Sequence, residues 1–317
     1  MSGSNTPPPI YPPQSEPPVP APGASPGYPP APGYPVYPQY PAYPGYPPQP
    51  QAQAGQGWSP NPAEAAHYGQ VGRVPWSLRQ TVIGATLTIV PWLAIIVVFQ
   101  LLPSATGGKL SRLPTAVDLI SGLVALAFTA IVEGAFVLAP LYFAVWRRAP
   151  GLSARDGLRA LGLRKAPLWP SVGWVVLGFV IVLAASVIYG LLVEHFNLPL
   201  QTNGQALENQ VRYAPITVTA TLIGAVFVAP FCEELFFRGY LFGGLLRGMN
   251  VWLAVPLSAL LFTLVHGDIG SAALLLVIGL VLAAMRYRLG SIWPGIALHA
   301  LNNGLAAVSV LLILTRP

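Results

Sequence analysis

The sequence predicts an all-α, polytopic membrane protein: a bundle of about seven to eight transmembrane helices behind a disordered, Pro/Tyr-rich N-terminal tail. Three observations predict it. Only 8% of the 317 residues are charged and mean hydropathy is +0.59, whereas a soluble globular chain carries roughly 25% charged residues. From residue 76 onward, apolar segments recur that approach or exceed the roughly 20 residues needed to cross a bilayer. Ahead of them, residues 1–75 hold about two-thirds of the 36 prolines, with too little apolar surface to offset the entropy of ordering.

Within that tail, Tyr34, Tyr37, Tyr40, Tyr43 and Tyr46 recur every third residue, mostly as Tyr-Pro. Three residues make one turn of polyproline II, so the rings would line one face. The strip reads either as a docking site for a partner protein or as a low-complexity spacer. The polar start shows no cleavable signal peptide, so the first apolar segment is expected to act as its own insertion signal. Cys232 is the single cysteine, which excludes an intrachain disulfide. The net charge of +6 does not read as a nucleic-acid signal, because the cations lie between apolar segments, where they set topology.

The transmembrane domain, 76–317, divides into seven apolar segments at roughly 80–102, 116–146, 170–193, 214–236, 251–267, 270–287 and 291–314. The fifth and sixth are short and nearly contiguous. They read as a helical hairpin turning at Gly267-Asp268-Ile269-Gly270, by glycine punctuation. Arg73, Arg79, Arg147, Arg148, Arg155, Arg159, Arg164, Lys165, Arg247, Arg286 and Arg288 fall on one side of this topology. Lys109, Arg112, Arg212 and Arg316 fall on the other. The positive-inside rule therefore predicts a cytoplasmic tail and an external C-terminus. Residues 149–165 read as a short interfacial helix with leucines toward lipid and arginines toward headgroups.

Ionisable side chains inside a bilayer are costly, so they pair, line water or carry function. Glu233, Glu234 and Arg238 lie in the fourth segment. Residues four apart share a helix face, so Glu234 and Arg238 are expected to pair. Glu233 is turned about 100° away and keeps no such partner, as a general base requires. The alternative is an ion-pair network that staples helices. Pro230 frees a backbone carbonyl near this turn and makes room for water, unless it is an ordinary transmembrane proline. Gly239, Gly243, Gly244 and Gly248 form overlapping Gly-x-x-x-Gly patterns, permitting close approach of another helix.

His266 ends the fifth segment, with Phe262 one turn earlier on the same face, placed to wall the imidazole from lipid. In the seventh, His299 and Asn303 are four apart and form a donor pair suited to an oxyanion. Each alone reads equally as interhelical hydrogen bonding. Glu133 is a deep acid of the second segment that hydrogen-bonds a neighbour or reaches the cavity; Asp118 is a shallower one. Asp268 reads as a turn cap and Cys232 as a small packing residue. His195 and His67 lie away from the motifs.

The three motifs together, Glu-Glu-x-x-x-Arg (Glu233, Glu234, Arg238), Phe-x-x-x-His (Phe262, His266) and His-x-x-x-Asn (His299, Asn303), resemble the CPBP family. This is the group of CAAX-protease and bacteriocin-processing (Abi) intramembrane proteases. Leu161-Gly162-Leu163-Arg164 before the third span also resembles that family. The resemblance covers roughly 130–317 and leaves out the tail. It implies an endopeptidase acting on a membrane-associated polypeptide, CAAX-like or other. Glu233 would be the general base, His266 its partner in holding water, and His299 with Asn303 the oxyanion stabilisers. Glu234, Arg238 and Phe262 would be supporting structure. Family members have been described both as metal-independent glutamate proteases and as metalloproteases. Glu233, His266 and His299 are enough in kind for a three-ligand site for Zn²⁺ or another divalent metal, but the favoured reading requires no cofactor. No His-Glu-x-x-His motif is present, and no Gly-x-Ser-x-Gly elbow occurs from residue 76 onward.

Two other classes remain open from the residues: an ion-coupled transporter using the same groups as a proton relay, and a non-catalytic membrane scaffold. No internal repeat of the kind transporters carry is visible. One tension stands in the segment limits. They set Glu233 near the inner end of the fourth span and His266 near the outer end of the fifth, on the order of 20 Å apart. Either the fourth helix runs well past the bilayer or a neighbour is re-entrant.

Overall fold

The computed structural model describes residues 71, 73–101, 112–148, 151–200 and 210–312. These residues are all-helical, with no strand among them. The Tyr-Pro strip, His67, Lys109 and Arg316 lie outside the described residues. Among the described residues, six helical stretches are long and apolar enough to cross a membrane, and a seventh apolar helix is shorter. Together they make a multi-pass helical membrane protein.

α1 (Leu78–Leu101) opens the bundle. Before it, Val71, Val74 and Trp76 are buried, so packing begins within the range assigned to the tail. α2 (Thr115–Leu141) continues into a widened π turn, Tyr142–Trp146. Its buried residues Asp118, Gly122, Glu133, Phe136, Pro140 and Ala144 recur at helical spacing, so one stripe faces protein and the rest faces lipid. Asp118 accepts hydrogen bonds from the Ile216 and Thr217 backbone N–H groups and the Thr217 hydroxyl at 2.7–2.9 Å. It thereby caps a helix that brings no side-chain cap of its own.

α3 (Ala154–Ala160) is short and starts with a capping box between Ser153 and Asp156. The expected orientation of its leucines is corrected here: Leu158, Leu161 and Leu163 pack against the protein core, not lipid. The cause is Gly157, whose missing side chain lets α3 press onto the Ala144 carbonyl; a Cβ there would sit 1.8 Å from that oxygen. α4 (Leu168–His195) is peripheral and buries only Gly178 and Val182.

The fourth span is the axis of the molecule. It runs Pro215–Gly248, 34 residues, or about 50 Å at helical rise, well beyond the ~30 Å hydrocarbon core. It comprises α5 (Pro215–Ile223), a π turn at Gly224–Val228, α6 (Ala229–Glu234), a second π turn at Leu235–Leu241 and α7 (Phe242–Gly248). Every residue from Cys232 to Leu245 is buried. The expected limit at 236 was short, because Arg238 is neutralised in place and the helix continues through its glycines. α7 lies close against α1: a Cβ on Gly244 would meet Thr81 at 1.9 Å, and one on Gly248 would meet Leu78 at 2.4 Å.

α8 (Val251–Val265) and α9 (Ala272–Leu289) form the expected hairpin. The turn contains Gly267 at φ +59°, a conformation glycine adopts without strain, and Asp268 caps it by accepting from Ser271 N–H at 3.0 Å. α10 (Trp293–Leu311) closes the bundle. The long fourth helix resolves the depth conflict: α8 climbs beside its extension, so His266 arrives level with Glu233.

Candidate active site

Three helices bring three side chains together. Glu233 Oε2 on α6 lies 3.8 Å from His266 Nε2 at the end of α8 and 3.9 Å from His299 Nε2 on α10. Both separations are too long for a direct hydrogen bond and suit groups that share a water molecule. The Glu233 side chain is 10% exposed and that of His266 is 24% exposed, so the acid is nearly buried and His266 is the more accessible of the two.

Each ring is oriented. His266 Nδ1 lies 2.7 Å from the Phe262 carbonyl. A carbonyl only accepts, so Nδ1 carries the hydrogen and donates. In the neutral ring this turns the Nε2 lone pair toward Glu233. His299 presents one nitrogen to each acid: Nε2 toward Glu233, and Nδ1 at 3.6 Å from Glu234 Oε1. Glu234 Oε1 is in turn 2.8 Å from Arg238 Nη1, with both side chains buried. A Cβ on Gly295 would lie 2.7 Å from Glu234 Oε2, so the absence of that atom makes room for the acid.

Phe262 is the platform under this array. Its ring centroid is 4.6 Å from that of His266 and 5.7 Å from that of His299. Arg238 Cζ sits 4.2 Å from the same centroid, within cation–π range. Arg238 also donates to the Gly279 carbonyl at 3.3 Å. On the far side, Phe136 of α2 packs against Trp92, Phe236 and Phe237.

Asn303, expected to pair with His299 at an oxyanion, also makes a bond to the backbone. Its amide donates to the Ala225 carbonyl at 2.8 Å. The reason lies in the first π turn. There the Ala229 N–H bonds to Gly224, and the next residue, Pro230, has no N–H to offer. Asn303 supplies the missing donor. An amide carries two N–H bonds, so one remains for other work.

Two groups complete the surroundings. Glu133 of α2 is buried and interacts electrostatically with Glu233. Trp92 of α1 donates to the Val265 carbonyl at 2.8 Å, one residue before His266. Sequence reading held Glu133 as a candidate and missed Trp92, which no spacing pattern tied to the motifs. Arg286 of α9 was read only as a topology signal, yet it is buried and donates from Nε to the Arg238 carbonyl at 3.0 Å. His195, by contrast, meets Phe196 edge-on at the end of α4.

The donor set matches zinc in kind but not in spacing. Zinc–ligand bonds of about 2.0–2.2 Å place tetrahedral ligand atoms about 3.3 Å apart, against 3.8 and 3.9 Å here. No group of three His, Cys, Asp or Glu among the described residues is arranged to hold a metal ion.

Residues 215–305, which contain all three motifs, match the family described as Type II CAAX prenyl endopeptidase Rce1-like. The CPBP resemblance is thereby shown. A relative in Bacillus subtilis (strain 168), named "Putative membrane peptidase YdiL", is 28% identical over 163 residues. The match covers 50% of this chain and 62% of that protein, so the chain spans less than two-thirds of its relative's length. No solved structure matches the chain significantly.

Proposed function

We propose that this protein is an intramembrane endopeptidase that hydrolyses a peptide bond of a membrane-associated polypeptide, with CAAX-like C-termini as the first class to test. One observation carries the reading: Glu233 Oε2 stands at water-bridging distance from two imidazole nitrogens, with the acid nearly buried and His266 partly exposed.

In this mechanism a water held between Glu233 and His266 gives a proton to Glu233 as its oxygen attacks the scissile carbonyl carbon. The oxyanion of the tetrahedral intermediate accepts from His299 Nε2–H and from the uncommitted N–H of Asn303. Glu233 then passes its proton to the departing nitrogen as the C–N bond breaks. Glu234 and Arg238 set the orientation of His299, and Phe262 holds both rings. The cation-rich ends of the helices face the cytoplasm by the positive-inside rule, which places the N-terminal tail there too.

Cleavage of an internally quenched peptide ending in a farnesylated CAAX sequence, by purified protein in bilayer nanodiscs, tests the reading. Glu233→Gln abolishes turnover while Cys232, the sole thiol, stays protected in the fold. New C-termini present in cells with the wild type and missing with Glu233→Gln identify substrates of other classes. Turnover that survives this variant ends the proposal. Proton-coupled uptake by proteoliposomes would instead select a permease, and partner recruitment intact in Glu233→Gln without any cleavage would select a scaffold. Chelators leave the rate unchanged in this reading, and metal analysis of the purified protein finds no stoichiometric zinc.

A further inference from the structure

The acid pair sits between two π turns, and the second of these is held by donors from outside the span. Within Leu235–Leu241, Phe242 N–H bonds back to the Phe237 carbonyl, five residues rather than four. π turns are rare and concentrate at functional sites. Here side chains of three other elements serve the widened turn. Trp76, ahead of α1, donates from Nε1 to the Tyr240 carbonyl at 3.2 Å. Arg286 of α9 donates from Nε to the Arg238 carbonyl and from Nη2 to the Ala160 carbonyl, both at 3.0 Å. Ser258 of α8 reaches the Phe237 carbonyl at 3.5 Å.

The Trp76 segment is itself fastened. Arg247 Nη1 donates to the Val74 carbonyl at 3.1 Å and to the Trp76 carbonyl at 2.8 Å. The Trp76 and Tyr240 ring centroids are 5.3 Å apart. Beyond the turn, α7 cannot rotate, because Gly244 and Gly248 are pressed against Thr81 and Leu78. The direction in which α6 points its acids therefore depends on the residue count in the turn between them. If that turn tightened to α register with α7 fixed, Glu233 would swing about 100° away from His266 and His299.

We propose that Trp76 and Arg286 are positioning residues, which keep the Leu235–Leu241 turn open and thereby aim Glu233 at the two imidazoles. The inference rests on the proteolytic reading for its kinetic arm only. Trp76 lies outside the segment that matches the family, so the aim of the acid is set partly by the chain's own N-terminal approach to the bundle.

The test uses full-length protein in nanodiscs with two conservative variants. Trp76→Phe keeps a ring against Tyr240 and removes the N–H. Arg286→Lys keeps the charge and removes the two-pronged donation. With the quenched farnesylated peptide, kcat falls on the order of 10- to 100-fold, as a displacement near 1 Å costs, and KM stays within about twofold. Amide hydrogen exchange rises about tenfold across Leu235–Leu245 and is unchanged in α4. Wild-type kcat and exchange in both variants overturn the proposal. So does a uniform rise in exchange along the chain, which would mean general destabilisation. The exchange measurement needs no substrate and decides the matter even if the peptide is not cleaved. Turnover that survives Glu233→Gln refutes the protease reading separately.

Discussion

Replacing Glu234 by Gln removes the charge facing Arg238 and leaves the rest of the site in place. Glu234 Oε1 and Arg238 Nη1 are 2.8 Å apart, and their side chains are 1% and 0% exposed. Breaking one partner of a fully buried pair costs about 3–5 kcal/mol, because the surviving charge has no water to turn to. The Gly279 carbonyl and the Phe262 ring soften that loss without replacing a carboxylate. A stability change of this size lowers the melting temperature by roughly 6–20 °C, at about 2–4 °C per kcal/mol for a domain of this size. The sole thiol, Cys232, is buried, so its labelling by a thiol-reactive dye during a thermal ramp reports unfolding without an added probe. The neighbouring Glu233→Gln change is the control: among the described residues that acid has no Arg or Lys ion pair, and its stability stays within about 1 kcal/mol of wild type. The double variant Glu234→Gln/Arg238→Met recovers part of the loss, because no unpaired charge remains buried. An unfolding curve for Glu234→Gln that overlays the wild type, or a larger loss for Glu233→Gln, would refute the assignment of the two acids.

Gly295→Ala drives a methyl into Glu234 Oε2 and costs about 1–3 kcal/mol by overpacking, measured by the same thiol assay; kcat falls with it as His299 loses its neighbour. Asp118→Ala strips the cap from α5 and destabilises by about 1–2 kcal/mol. Its kcat at low temperature matches wild type, because the cap lies away from the acids. Asp156 is held below its ordinary pKa of 3.8, chiefly by its hydrogen bonds with Ser153. Its support of α3 is therefore complete above that value and disappears as pH falls through the lower folded one. Exchange protection of α3, corrected for intrinsic rate, stays flat from about pH 5 to 8 and drops only in stronger acid; a drop near neutrality would contradict the cap.

The fold class was legible because bilayers impose it: a chain with so few charges and such long apolar runs satisfies its backbone only as helices or a closed barrel. The hairpin was legible from glycine punctuation, and the face shared by Glu234 and Arg238 from helical spacing. Limits of the fourth span were not, because hydropathy cannot distinguish lipid cover from protein cover around Leu235–Leu245. The orientation of the α3 leucines failed for a related reason. Amphipathic periodicity says that one face is apolar, and only the Gly157–Ala144 approach says what covers it. Trp76, Trp92 and Arg286 went unseen because they act on backbone carbonyls of distant helices, and such bonds leave no mark in local spacing. The commitment of Asn303 to Ala225 requires knowing both the π turn and the missing proline hydrogen.

The bond from Trp92 to the residue just before His266 means that the reaction centre is not a portable cassette. A fragment cut at 215–305, or a chimaera grafting it into a distant relative, would arrive without the indole that tethers the end of α8 and without the α2 aromatic beneath it. Gene exchange among such proteins would then have to move the first two spans together with the motif-bearing ones. Grafts that respect only the recognisable segment should yield well-inserted but inert polypeptides.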